Sequence, residues 1–164
     1  LEFRRVLFRS GTLTEEERFK INEHIIQTIV MLENMPLPYN LKRVPEYAGT
    51  HHETLIGTGY PRRLTAKDLS VPSRIMAIAD VFEALTARDR PYKKAKTLSE
   101  SIRILHSFKR RHHIDPVLFD LFLTSGIYRR YAEQFLLPEQ IDEVDIAQYL
   151  GPVAPKPTAA SAAT

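Results

Sequence analysis

Three histidines and one aspartate stand out in this chain as side chains able to hold a metal ion. His51-His52-Glu53 is the densest group. Adjacent helix residues point roughly 100° apart, because an α-helix has ~3.6 residues per turn. Two such imidazoles chelate a single ion poorly. Each can instead serve one of two ions ~3.5–4 Å apart, the separation used by two-metal hydrolases. A bare His-His pair is equally compatible with a hydrophilic helix end. A second pair, His112-His113 after Arg110-Arg111, has a basic, loop-like context and reads as solvated surface. Asp80 interrupts the apolar run Ile75-Met76-Ala77-Ile78-Ala79-Asp80-Val81-Phe82. A carboxylate placed there needs a cation, because burying an unpaired charge is costly. The cation is either a metal or an arginine such as Arg74 or Arg88. His24 lies near the apolar face of an amphipathic stretch, where a core role competes with metal ligation.

Two further segments carry binding chemistry. Gly57-Thr58-Gly59-Tyr60-Pro61 lets the backbone approach a ligand closely, and Tyr60 offers an aromatic face and a hydroxyl. An ordinary turn has the same composition. Arg90-Pro91-Tyr92-Lys93-Lys94 suits phosphate binding, or forms a solvated basic turn.

Helices must position these groups. Thr14 and Glu17 form a capping box, and Ile21, Ile25, Ile29 and Leu32 follow at helical spacing, predicting a helix over 15–34. Pro36 and Pro38 end it. Pro45 suits a first helical turn, predicting a short helix from 45 to about 53. Ser70-Val71-Pro72 opens another, with an apolar stripe of Ile75, Ile78, Ala79, Phe82 and Leu85. Thr97-Leu98-Ser99-Glu100 is a second capping box, before Ile102, Leu105 and Phe108. Asp115-Pro116 caps the next helix, Gly126 interrupts it, and a last helix is predicted over 128–136. No segment alternates with period two, so the predicted fold is all-α.

Composition narrows the function classes. The 164 residues suffice for one domain with a sizeable core. Cysteine is absent, which excludes disulfides and thiolate chemistry and fits a reducing compartment. No apolar run approaches the roughly 18 residues of a membrane span. Residues 1–10 hold three arginines and one glutamate, and so carry +2 of the formal net charge of +3. This decapeptide resembles a translated sequencing adapter and is expected to be a non-native leader. The remainder is near-neutral and gives no argument for a nucleic-acid polymer as partner. Residues 151–164 are mostly Pro, Ala, Ser and Thr, a composition expected to form a disordered tail. The domain is expected over 11–150.

The order of these features resembles the HD-GYP family, from about Gly11 to Phe122. His24 comes first, then His51-His52-Glu53 with Gly57-x-Gly59-Tyr60-Pro61. Ala79-Asp80-Val81-Phe82-Glu83-Ala84-Leu85-Thr86 and Arg90-Pro91-Tyr92-Lys93 follow. The resemblance implies an HD-superfamily-like helical bundle holding two or three divalent ions, iron or manganese, with zinc as an alternative. It places His24, His51, His52 and Asp80 on metal-ligand positions. It places Gly59, Tyr60, Pro61, Arg90 and Lys93 beside the substrate. The implied activity is hydrolysis of cyclic di-GMP in bacterial signalling, in the cytoplasm, downstream of a sensory or receiver domain and without membrane contact from this segment. The alternatives are a phosphohydrolase of another nucleotide and a degenerate domain that only binds ligands or partners.

Three departures qualify the match. The chain has no His-Asp dipeptide, from which the family takes two metal ligands, with a nearby lysine assisting. Ile56 replaces an aspartate common before the first loop glycine. The segment from Asp80 to Arg90 is one residue longer than in many members. The expectation is therefore an N-terminally truncated domain with little activity alone.

Overall fold

In the computed structural model, residues 15–87 and 96–153 are described, except for the side chains of 15–22 and 24. The capping box at Thr14, the tail beyond Val153 and the segment carrying Arg88, Arg90 and Lys93 lie outside them.

The described chain is a helical bundle of α1 (Glu15–Glu33), α2 (Val44–Thr50), α3 (Val71–Thr86), α4 (Leu98–Arg110), α5 (Pro116–Thr124) and α6 (Ile127–Phe135). Three short 3-10 turns accompany them, at Tyr39–Leu41, Pro138–Gln140 and Ile146–Gln148. The fold is all-α, and the only β-type pairing among the described residues is an isolated bridge between Ile56 and Thr65.

Local rules account for most helix ends. Thr97 and Glu100 make both bonds of a capping box at the start of α4. The Asp115 carboxylate accepts from the Val117 and Leu118 amides at the start of α5. Gly126, with φ of 70°, separates α5 from α6. At the end of α4 the His113 amide donates to the Phe108 carbonyl and the His112 amide to the Lys109 carbonyl. His112 has φ of 55°. This is a Schellman-type ending, and its usual contact across the cap is present: the His113 ring stacks on Phe108. The pair expected on solvated surface is therefore half-buried, because closing the helix folds it back.

Successive elements pack together: α1 on α2, α2 on α3, and α3 on α4 and α5. Then α4 packs on α5 and α5 on α6. The core joins Ile78 and Phe82 of α3 to Leu98, Ile102 and Leu105 of α4, Phe119 and Leu123 of α5, and Tyr128 and Ala132 of α6. The α3 stripe differs from expectation. Ile78, Phe82 and Leu85 are buried, but Ile75 and Ala79 are exposed. Apolar residues surround this helix, so periodicity alone does not select the face. The packing of α4 and α5 does, and it buries Ala77, Ala84 and Thr86 instead.

Candidate metal centre

The short helix α2 ends sooner than its sequence suggests. His51 is its C-cap, and His52 and Glu53 lie in the turn beyond, where the Glu53 amide donates to the Thr50 carbonyl. Gly49 lets this helix approach α1: a Cβ there would lie 2.7 Å from Ile29 Cγ1. On the other side, Thr50 Oγ1 hydrogen-bonds Ser73 Oγ at 2.8 Å, tying the end of α2 to the start of α3.

That packing brings His51, His52 and Asp80 together, one donor atom from each lying within 4.8 Å of the others. The His51 and His52 ring centroids are 3.8 Å apart. His52 Nδ1 is 4.0 Å from Asp80 Oδ2, a gap wider than a hydrogen bond. The His52 side chain is 5% exposed and that of Asp80 31%, so the cluster opens to solvent on the aspartate side. His24 belongs to α1, and its side chain lies outside the described residues. Of the two arginines that could explain Asp80 as an ordinary ion pair, Arg88 lies outside the described residues and Arg74 is engaged elsewhere. It donates to Asp115 Oδ2 at 3.0 Å and to the carbonyls of Leu69 and Ala66.

The cluster suits a metal ion. His51 Nδ1 is buried without a hydrogen-bond partner, a cost that a metal ion would relieve. Burial, and then the neighbouring His51, lower the His52 pKa to about 3. Its imidazole is therefore neutral, with a lone pair available for coordination. Two imidazoles and one carboxylate form a donor set for iron, manganese or zinc.

The glycine loop closes over this cluster. Gly57 has φ of 72°, and the Tyr60–Pro61 peptide is cis. The Tyr60 ring stacks on His52, with centroids 5.0 Å and planes 27° apart. Burial and the Asp80 charge raise the Tyr60 pKa, so it remains a phenol. Arg90 and Lys93 lie outside the described residues. A cleft of about 480 Å³ runs beside the centre, lined by Ile29, Glu33, Lys42, Glu46, Thr50 and Arg62 among others. None of the three donors lines it, so the donors rather than the cleft define the site.

Sequence reasoning missed two bracing polar side chains, one at this site and one at the far end of α3. Glu53, quoted only as part of a motif, is buried and accepts two backbone amides of the loop. Gln140 is buried and donates to the carbonyls of Thr86 and Lys96, bracing the end of α3 against the entry to α4. Adjacency to the histidines was a signal for Glu53. Nothing local pointed to Gln140.

The fold agrees with the chain's relationships. Residues 5–118 match the family model described as HD domain. A cyclic di-GMP phosphodiesterase of Pseudomonas aeruginosa is 42% identical over 124 residues, 75% of this chain and 29% of that protein. A 3'3'-cGAMP-specific phosphodiesterase of Vibrio cholerae is 37% identical over 121 residues, 74% of this chain and 27% of that protein. A cyclic di-GMP phosphodiesterase of Thermotoga maritima is 34% identical over 137 residues, 79% of this chain and 36% of that protein. The chain belongs to the HD domain family, in its HD-GYP branch. It spans about a quarter to a third of the length of these relatives. No helix among the described residues is long and apolar enough to cross a membrane.

Proposed function

We propose that this chain supplies part of the metal centre and the substrate loop of a phosphodiesterase that hydrolyses a cyclic dinucleotide, cyclic di-GMP first among candidates. The observation that carries this reading is the convergence of His51, His52 and Asp80, with His51 Nδ1 buried and unpartnered. His51, His52 and Asp80, with His24 from α1, would hold two or three divalent ions, iron or manganese, with zinc the alternative. Such ions polarise a phosphoryl oxygen and lower the pKa of bound water.

The chain's own residues do the rest. His52 stays neutral, and Tyr60 packs on its ring and shields that side of the cluster. Asp80, at the open side, supplies the anionic donor facing solvent. Gly59, Tyr60 and Pro61 form the wall against which the dinucleotide lies, and Arg90 and Lys93 bind its phosphates. The wider protein would be cytoplasmic and carry a sensory or receiver domain ahead of this one. The relatives' names divide between cyclic di-GMP and 3'3'-cGAMP, so both are the substrates to compare.

The test is a Mn2+- or Fe2+-supplemented assay of the full-length protein that contains this chain, with both cyclic dinucleotides. Conversion to a linear dinucleotide or mononucleotides is expected, with loss of activity in Asp80→Ala. Wild-type turnover by Asp80→Ala, or no turnover of either substrate by the metal-loaded protein, would overturn the reading.

A further inference from the structure

Glu53 follows the two histidines directly, and a carboxylate in that place would ordinarily be counted as another metal donor. Its surroundings assign it differently. The residue is 3% exposed. Both of its oxygens are occupied by the backbone of the loop that returns from the glycines. Oε1 accepts from the Arg62 amide at 2.7 Å and Oε2 from the Leu64 amide at 3.0 Å. Amide bonds to an ionised carboxylate are stronger than neutral ones. Arg63, between the two donors, has φ of 54°, a conformation that L side chains rarely adopt and that neighbouring contacts must maintain.

The same loop is pressed onto the backbone at Glu53. A Cβ on Gly59 would lie 2.4 Å from Glu53 Cα, 2.6 Å from the His52 carbonyl oxygen and 2.6 Å from the Thr54 amide nitrogen, so only glycine fits. The next residue, Tyr60, donates its amide to the His52 carbonyl at 3.4 Å and lays its ring on the His52 imidazole. The contacts thus form one closed path. Glu53 fastens residues 62–64, Gly59 permits the close return, and Tyr60 lands on the ring of a proposed metal ligand one residue from Glu53.

We propose that Glu53 is a positioning residue: its buried carboxylate fastens the 57–64 loop and, through Tyr60, sets the orientation of the His52 imidazole within the His51–His52–Asp80 cluster. The step from loop to metal rests on reading that cluster as a metal centre; the fastening of the loop does not. Glu53 is not in the group of donors whose atoms lie within 4.8 Å of one another, so a ligand role would require its carboxylate to move away from the amides it holds, and amides left without partners carry a desolvation cost.

Arg62 and Arg63 place trypsin sites within the fastened segment, so the loop can be read directly. Glu53→Gln keeps the shape but turns an amide group toward a backbone N–H. Glu53→Asp keeps the charge but is one methylene short of spanning both donors. In the full-length protein, three quantities are measured: trypsin cleavage after Arg62 and Arg63, Mn2+ affinity by titration with the metal alone, and kcat and KM for cyclic di-GMP. In Glu53→Gln, cleavage in the loop is expected to quicken at least tenfold. Mn2+ affinity is expected to fall by roughly 10–100-fold, the usual effect of losing a group that orients a ligand. Activity should return at saturating Mn2+, and Glu53→Asp should lie between wild type and Glu53→Gln in all three. If Glu53→Gln fails to fold, judged by circular dichroism, Glu53→Asp alone decides.

Lost Mn2+ binding with an intact, protected loop would overturn the proposal and make Glu53 a direct ligand. A freely cleaved loop with wild-type Mn2+ affinity would overturn it too, by showing that the fastening does not reach His52. If the wild-type protein hydrolyses no cyclic dinucleotide while the trypsin and Mn2+ results are as expected, the proposal stands and the functional reading falls.

Discussion

The His51–His52–Asp80 end and the C-terminal half of this bundle are built on different principles. In the C-terminal half, Leu98, Ile102, Leu105, Phe119 and Ala132 have no exposed surface, and the core around them is continuous across α3 to α6. On the helices around the candidate centre, Ile26, Val30 and Met31 of α1 and Ile75 and Met76 of α3 are exposed. Ile25, Ile29 and Leu69 are buried there, and polar fastenings add to their packing: Glu53 to the loop, Thr50 to Ser73, and Arg74 to Asp115. The contrast shows how one small bundle separates stability from chemistry. Apolar burial is non-directional and stabilises a framework, whereas donors for an ion must be aimed, and directional hydrogen bonds aim them.

Substitutions in the two regions should therefore separate function from stability. The largest effect is expected from Asp80→Ala. Mn2+ affinity and hydrolysis should fall by more than the roughly 100-fold that marks the upper range for losing an orienting group. The metal-free protein should keep its unfolding free energy in urea within about 0.5 kcal/mol. A large loss of stability would break the separation. Next is Leu105→Ala, expected to cost about 2–5 kcal/mol in urea unfolding, while Mn2+ affinity of the folded protein stays unchanged.

Lys109→Met is a sharper test of the C-terminal half. Lys109 is buried, and its Nζ donates to Asp120 Oδ1 at 2.6 Å and to the carbonyls of Tyr149 and Gly151 at 3.0 and 2.8 Å. Removing the ammonium leaves these acceptors unsatisfied, at a cost of about 1–3 kcal/mol. Hydrogen exchange should rise at residues 146–151 before it rises in α4. Thr97→Ala removes one bond of the capping box and should cost about 1 kcal/mol, without affecting the metal.

The smallest effect is a pH dependence at Asp142. Burial pushes its carboxyl up, but hydrogen bonds from the Ser99 hydroxyl and amide outweigh this and hold it below the usual range. A lowered folded-state value means that its contribution is present above the unfolded pKa, about 3.9, and is lost as pH falls through the folded value. The difference in urea stability between wild type and Asp142→Asn should therefore be constant from pH 5 to 7 and shrink below about pH 4. A difference that grows on acidification would reverse the assignment.

The sequence by itself determined the parts of this protein governed by near neighbours along the chain. Thr97 with Glu100, Asp115 before Pro116, Gly126, and the prolines after α1 announced where helices begin and end. Each acts on backbone groups within about one helical turn, so a local pattern suffices. The order of His51-His52-Glu53, the glycine loop and Asp80 likewise pointed to a metal-holding helical family before any contact was known. Only the tertiary structure decided that α2 stops at Thr50 and leaves His52 and Glu53 in a turn, and that Ile75 and Ala79 face outward while Ala77 and Thr86 are buried. It also decided that Glu53 fastens a loop nine and eleven residues away, and that Gln140 spans Thr86 and Lys96. Those outcomes depend on which surfaces meet across the bundle. Side-chain type and spacing along one helix leave that choice open until the facing helix is in place.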